Sequence, residues 1–154
     1  KKMYMLKKKF IFYLIFLIIS QIPFVHSEEK FLSLKKNKVN VRYGPSFDFP
    51  IKYIYEKKNL PIKQIDEKEN FRRIIDHKKN SGWIHVSQLK KVISVIALDE
   101  KIMFKKSTIF SEPIAKIEKG RLLIVKECKK EWCKVSTGKF KGWIKNLNLW
   151  GKTD

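Results

Sequence analysis

Apolar residues follow two different rhythms along this chain. From Phe10 to Ile19 they run without interruption, whereas from residue 38 onward they come in short runs divided by Asp, Glu, Lys and Asn clusters. Lys38-Val39-Asn40-Val41-Arg42-Tyr43 alternates every second residue, the period of a strand with one buried face. Gly44-Pro45-Ser46 then supplies a turn. Asn59 to Ile65, Phe71 to Ile75 and Gly82 to Ile84 are further short strand-like runs. Beyond the N-terminal segment no 12-residue window carries a helical stripe. The expected class is all-β, built as a small barrel or sandwich.

The pattern occurs twice. A shift of 61 residues sets Val41 on Ile102, Tyr43 on Phe104, Phe49 on Phe110, Phe71 on Trp132 and Ile74 on Val135. One residue is then lost, and at a shift of 60 Gly82-Trp83-Ile84 meets Gly142-Trp143-Ile144, with Leu89 on Leu149. Two copies of about 60 residues are expected. Val92 to Leu98 (VISVIAL) joins them, lacks Gly and Pro, and has Ser94 as its one polar residue. It should be a buried strand that closes the first copy and leads into the second, rather than a flexible linker. A unit of that size buries only about 60% of its unfolded surface, so the two copies should pack against each other.

The N-terminal segment reads differently. Lys7, Lys8 and Lys9 precede the apolar run; Ser20, Gln21 and Pro23 break it; Val25-His26-Ser27 stands before Glu28-Glu29. Basic, apolar, small, then polar is the order of a secretory signal peptide, cut here after Ser27. The run falls short of the roughly 20 apolar residues of a membrane-spanning helix. An uncleaved anchor, with the protein as an envelope structural component, is the alternative, and sequencing the mature N-terminus separates the two. The expected division is a signal helix at 1–27, a first domain at 28–91 and a second at 92–154.

Charge narrows the partners. The formal net charge is +20, but it comes from 31 lysines and only four arginines (Arg42, Arg72, Arg73 and Arg121). Nucleic-acid readers rely on arginine forks and on cations gathered into a stripe, whereas these lysines are scattered. No nucleic-acid partner is expected, and a membrane is a partner only through an uncleaved N-terminal segment.

Asn40-Val41-Arg42-Tyr43-Gly44-Pro45-Ser46, Phe71-Arg72-Arg73-Ile74-x-Asp76 and Ser81-Gly82-Trp83-Ile84-His85-x-Ser87-x-Leu89 resemble the signature stretches of bacterial SH3-like domains. The second half, with Cys128 and Cys133 around Glu131-Trp132 and a closing Gly142-Trp143-Ile144, is similar to the partner repeat of exported tandem SH3-like proteins of alphaproteobacteria. It lacks the Arg-x-Gly-Pro motif; Met103, Lys105 and Lys106 stand there. The resemblance covers about residues 30 to 151 and implies two tandem SH3-like small β-barrels, five-stranded and partly open. It also implies export to the periplasm and a binding role without enzyme activity. Gly44 is expected at positive φ, Gly82 at a close strand approach covered by Trp83, and Val86 to Leu89 as a single 3₁₀ turn with Leu89 as a plug.

In such barrels the aromatic at the position of Phe71 and Trp132 lines a groove beside the first long loop. If Ile74 and Val135 are core, odd spacing along the strand turns Phe71 and Trp132 outward. Tyr43, Phe47 and Phe49 would form the opposite wall, and Trp83 and Trp143 either contribute or serve packing. The candidate ligand-binding residues are therefore Tyr43, Phe47, Phe71, Trp83, Trp132 and Trp143. Arg42 to Pro50 holds only one acidic residue, Asp48, so a proline-rich peptide is not the expected ligand. A basic aromatic groove suits an anionic partner: a cell-wall peptidoglycan carboxylate, an acidic segment of an envelope protein, or a lipid headgroup.

The remaining chemistry is sparse. Cys128 and Cys133 flank a hairpin tip and would form a disulfide in an oxidising compartment, where free thiols are the alternative. Their first-repeat counterparts, Glu67 and Arg72, suggest an ion pair in the same place. His77 and His85 lack metal-ligand spacing and read as surface residues; Asp76 and His77, as strand neighbours, point to opposite faces. There is no nucleophile elbow or Cys-His-Asn series. No catalytic residue, metal or cofactor is expected.

Overall fold

The computed structural model describes residues 29–151. Residues 1–28, and with them the expected signal helix and its cleavage site, lie outside the described residues. No α-helix occurs among those described. The chain forms fourteen strands in two antiparallel sheets of seven. The first sheet holds β1 (Lys30–Leu34), β2 (Val39–Arg42), β3 (Ile51–Tyr55), β4 (Pro61–Lys68), β5 (Phe71–Ile75), β6 (Ser81–His85) and β7 (Leu89–Lys91). The second holds β8 (Ser94–Ala97), β9 (Lys101–Phe104), β10 (Pro113–Ile117), β11 (Leu122–Lys129), β12 (Trp132–Thr137), β13 (Phe140–Lys145) and β14 (Leu149–Trp150). The orders are β3-β2-β6-β5-β4-β1-β7 and β10-β9-β13-β12-β11-β8-β14, the same path walked twice.

Each sheet has seven strands in place of the expected five, and neither closes into a barrel. The end strands stay unpaired with each other. β7 has three residues and β14 two, too few to complete a ring. β2 meets β6 through a single ladder position, Arg42 opposite Trp83. Each sheet instead curls over its own core. Alternation fills it as the sequence indicates: Val39 and Val41 from β2, Ile62 from β4, Ile74 from β5 and Ile84 from β6 make one buried cluster with Leu34 and Leu60. Met103, Ile117, Leu123, Cys133, Val135 and Ile144 make the other with Val95 and Ala97. A strand sequence with one apolar face can bury it only if the sheet bends around that face.

Strand pairing corrects the repeat alignment. Arg42 and Phe104 are the residues that each face the tryptophan of the Gly-Trp strand, an offset of 62 rather than 61. The partner of Tyr43 is thus Lys105, not Phe104. The 61-residue offset holds for β4–β5 against β11–β12, where Glu67 opposite Arg72 matches Cys128 opposite Cys133. The second copy is therefore shortened in more than one connection, and a single shift could not describe it.

The middle of VISVIAL, Ser94 to Ala97, is buried, but it opens the second sheet instead of closing the first. β8 pairs with β11 and β14. All four of its residues are buried because both faces are covered. Val95 and Ala97 enter the second core, and Ile96 belongs to the first. Ser94 Oγ lies 3.2 Å from Ser33 Oγ and also donates to the Asn59 carbonyl. Trp150 completes the contact: its Nε1 donates to the Pro61 carbonyl at 3.1 Å, and its ring meets Phe31 edge-on at 5.3 Å.

The glycines are demanding for reasons of space. A Cβ on Gly82 would lie 2.4 Å from Val41 Cγ1, and one on Gly142 would lie 2.6 Å from the Phe104 carbonyl oxygen. Both strands can cross their neighbours only without a side chain. Gly44 does not adopt positive φ; its missing Cβ makes room for the Phe49 ring, 2.5 Å away. Val86–Gln88 forms the expected 3₁₀ turn, and Leu89 packs on the first core.

Candidate functional site

Register places most of the aromatic candidates on the outer faces of the two sheets, opposite the cores. In the first sheet Ile74 faces Gly82 across the ladder and Phe71 faces His85. Phe71 therefore points away from the core, yet it is only 5% exposed. The loop between β2 and β3 covers it. Phe47 meets Phe71 edge-on at 5.2 Å, and His85 lies 5.1 Å from both rings. Arg42 fastens this lid: its Nη1 donates to the carbonyls of Phe47 at 3.1 Å and Phe49 at 2.6 Å, and its guanidinium carbon stands 5.3 Å from the Phe47 ring. His85 is thus part of the packing and not an open surface residue. The groove expected between Phe71 and the loop is filled by the loop itself. Tyr43 stands clear, 62% exposed, with Lys52 Nζ 5.6 Å from its ring.

The second outer face is built from the same positions, but no loop ring lies over it, and Trp132 and Trp143 are half-buried. Trp132 faces Lys145 across the β12–β13 ladder, Lys134 faces Trp143, and Phe104 faces Trp143. Trp132 meets Phe104 edge-on at 5.8 Å, and Lys145 Nζ lies 5.8 Å from the Trp132 ring. Lys129 and Lys134 approach the Trp143 ring at 5.7 and 5.8 Å. Glu127 holds the same two ammonium groups at 3.3 and 3.8 Å. Each indole thus carries a cation against its electron-rich face, an attraction worth about 0.5–1 kcal/mol at exposed sites. The loop between β9 and β10 folds on itself through Lys105 N to the Glu112 carbonyl and Lys106 N to Ser111 Oγ. Its Phe110 is 92% exposed. No ring of this loop does what Phe47 does in the first repeat.

The structure joins Cys128 and Cys133, which face each other on β11 and β12 with Cα atoms 4.1 Å apart. At the matching place in the first sheet, Arg72 Nε lies 3.3 Å from Glu67 Oε2. Asp76 is buried and saturated: it accepts from Tyr55 Oη at 2.9 Å, the Lys78 and Asn80 amides, and Asn80 Nδ2. Although burial opposes ionisation, the Asn80, Tyr55 and Lys78 hydrogen bonds outweigh it and hold the carboxyl below its ordinary range. Burial lowers the His77 imidazole, whose buried Nδ1 has no partner. His77 is therefore half-buried beside the second repeat rather than a free surface group.

Sequence reasoning missed the lysine partners of the tryptophans, because they become neighbours only through strand pairing. It also missed Arg42 as the clasp of the first loop and the sealing of Phe71. Among the described residues no three His, Cys, Asp or Glu side chains gather as a metal site.

Two curled all-β units with aromatic outer faces define a tandem small-domain protein of the kind that presents surface. The model of the bacterial SH3 domain matches the chain twice, at residues 35–91 and 100–151, and the protein belongs to that family. Comparison with curated protein sequences finds no match. Among solved structures it is similar to NlpC2 from Trichomonas vaginalis, with 12% identity, 82% of this chain and 49% of that one covered, and a TM-score of 0.38. NlpC1 from the same organism gives 11%, 83%, 48% and 0.38. The chain spans about half the length of these proteins. Domains of this family commonly serve as binding modules.

Proposed function

We propose that this protein is a non-enzymatic binding module of the cell envelope, working in the periplasm and attaching to peptidoglycan through the outer face of its second repeat. The observation that carries the reading is the half-buried Trp132–Trp143 pair on the outer face, with Lys129, Lys134 and Lys145 set against its rings. Indole faces stack on sugar rings, and ammonium groups receive the carboxylates of stem peptides. The order of residues from Lys7 to Ser27 supports export, and the Cys128–Cys133 disulfide supports an oxidising compartment.

The test is retention of the intact mature protein on purified peptidoglycan and, in parallel, on envelope protein extracts, at low and moderate salt. Retention on peptidoglycan that survives moderate salt and is lost in a Trp132→Ala, Trp143→Ala double variant is expected. Retention that vanishes with salt alone reduces the interaction to lysine-driven adhesion. Retention only on an acidic envelope protein replaces the polymer with a protein partner.

A further inference from the structure

Between the two repeats lies a cavity of about 800 Å³. It is walled on one side by Tyr55, Leu60 and the turn from Asp76 to Asn80, and on the other by Ala97, Leu98 and Gly120. Its volume falls within the range of about 300–1,000 Å³ typical of small-molecule sites. Three features of its lining point to one kind of occupant.

The first is charge. Lys57, Lys78 and Lys119 stand around it, and Asp76 is its only acidic residue. Asp76 already accepts four hydrogen bonds, from Tyr55, Lys78 and twice from Asn80. The ammonium groups therefore outnumber the carboxylate, which is committed to its own turn. The second is apolar surface: Leu98, 37% exposed, offers an aliphatic wall above the buried Leu60 and Ala97, and it gains from being covered by an aliphatic group. The third is an unused polar atom. His77 lines the cavity, and its Nδ1 is buried without a hydrogen-bond partner. Burying such an atom unpaired costs about 1–3 kcal/mol, and a ligand that pairs with it recovers that cost.

We infer that this cavity is a second binding site, distinct from the tryptophan face, that takes the C-terminal end of a short aliphatic peptide. The terminal carboxylate meets the lysines, the aliphatic side chains lie on Leu98, and a peptide amide pairs with His77 Nδ1. Burial lowers the imidazole's pKa, which favours the neutral ring, whose unprotonated nitrogen accepts a hydrogen bond. Because the walls come from both repeats, the occupant bridges them. The inference does not depend on what the Trp132–Trp143 face binds.

The test is a titration of the intact protein, followed by backbone amide and imidazole NMR shifts, with N-acetyl-dialanine carrying a free carboxylate. Its C-terminal amide and butyrate serve as the other arms. The free acid should shift the signals of His77, Asn80, Leu98 and Gly120 while leaving Trp132 and Trp143 unmoved. The amide should bind about tenfold more weakly or worse, as lost charge-assisted contacts require, and butyrate should leave the His77 ring unshifted. Lys57→Ala with Lys119→Ala, both at exposed positions, should weaken the acid by a similar factor without loss of fold. No shift at millimolar acid, equal binding of acid and amide, equal His77 shifts with butyrate, or undiminished binding in the double variant would each overturn the site. Retention on peptidoglycan through Trp132 is a separate readout and stands or falls by itself.

Discussion

The two repeats share a strand order and a core pattern, and they differ almost entirely on their outer faces. In the first, Arg42 draws a loop inward and Phe47 seals Phe71. In the second, Phe104 occupies the place of Arg42, no guanidinium gathers the loop, and Trp132 and Trp143 are left to lysines. Loss of the Arg42 clasp, together with a different loop and Trp132 in place of Phe71, separates the two faces. The core tolerates little such divergence, since alternation and close packing fix which positions are apolar. The surface is where two copies of one fold can take different work.

The comparison can be broken hardest at Ile96. This side chain sits on the first strand of the second sheet but is fully buried in the first core. Ile96→Ala should cost about 2–4 kcal/mol, as truncation of a buried isoleucine does. Chemical denaturation should show the loss in the first repeat as well as the second. Val95→Ala, whose side chain faces the second core, should spare the first.

Next come the crossing glycines. Gly142→Ala and Gly82→Ala should each destabilise by about 1–3 kcal/mol through overpacking. Gly142 should be the worse, because its new methyl meets the Phe104 carbonyl oxygen at 2.6 Å as well as Ile114 and Met103, whereas at Gly82 it displaces Val41 and stands 3.0 Å from the Arg42 carbonyl oxygen. Melting of the two variants side by side measures the order.

The hairpin tips give a smaller contrast. Reducing the Cys128–Cys133 disulfide should cost at most about 2 kcal/mol, because so short a loop restrains the unfolded chain little. Arg72→Met, which removes the ion pair to the exposed Glu67, should cost less than about 1 kcal/mol. Denaturation with and without reductant, and of the Arg72 variant, supplies both numbers.

Acid should act first on the first repeat. In the second, among the described residues, only Asp99 is held below its ordinary range, by hydrogen bonds from Asn148 and Lys101, and it responds only in the carboxylate range. Asp76 and His77 both have lowered pKa values in the folded protein. For each, the unfolded chain binds the proton more readily, so the stability it lends is present above its unfolded pKa and lost as pH falls through the folded value. For His77 the loss begins as pH falls below 6.5, its ordinary value; Asp76 adds to it below the usual carboxylate range. His77→Gln should flatten the first part of a stability-versus-pH curve and leave the second.

Much of this architecture was legible in the chain. Alternation located β5 to the residue, and the repeated Gly-Trp-Ile betrayed two copies, because a strand crossing needs Gly at one place in each. What was not legible arises from pairing between distant residues. Tyr43 and Phe104 looked equivalent on a fixed shift, but bulges and shorter connections move the register by one. VISVIAL looked like a closing strand since it is apolar but for Ser94; the reason is burial of Ser94 to Ala97 on two faces by two different units. Phe71 was rightly turned from the core, yet nothing in its strand reports that Phe47 comes down upon it.

The contrast between a sealed and an open face is settled most directly by mapping amide shifts while the intact protein is titrated with soluble peptidoglycan fragments. Perturbations gathered on β12, β13 and the Trp132 and Trp143 indoles, with residues 43 to 50 silent, are the expected result. Perturbations centred instead on Tyr43, Phe47 and Phe71 would contradict it.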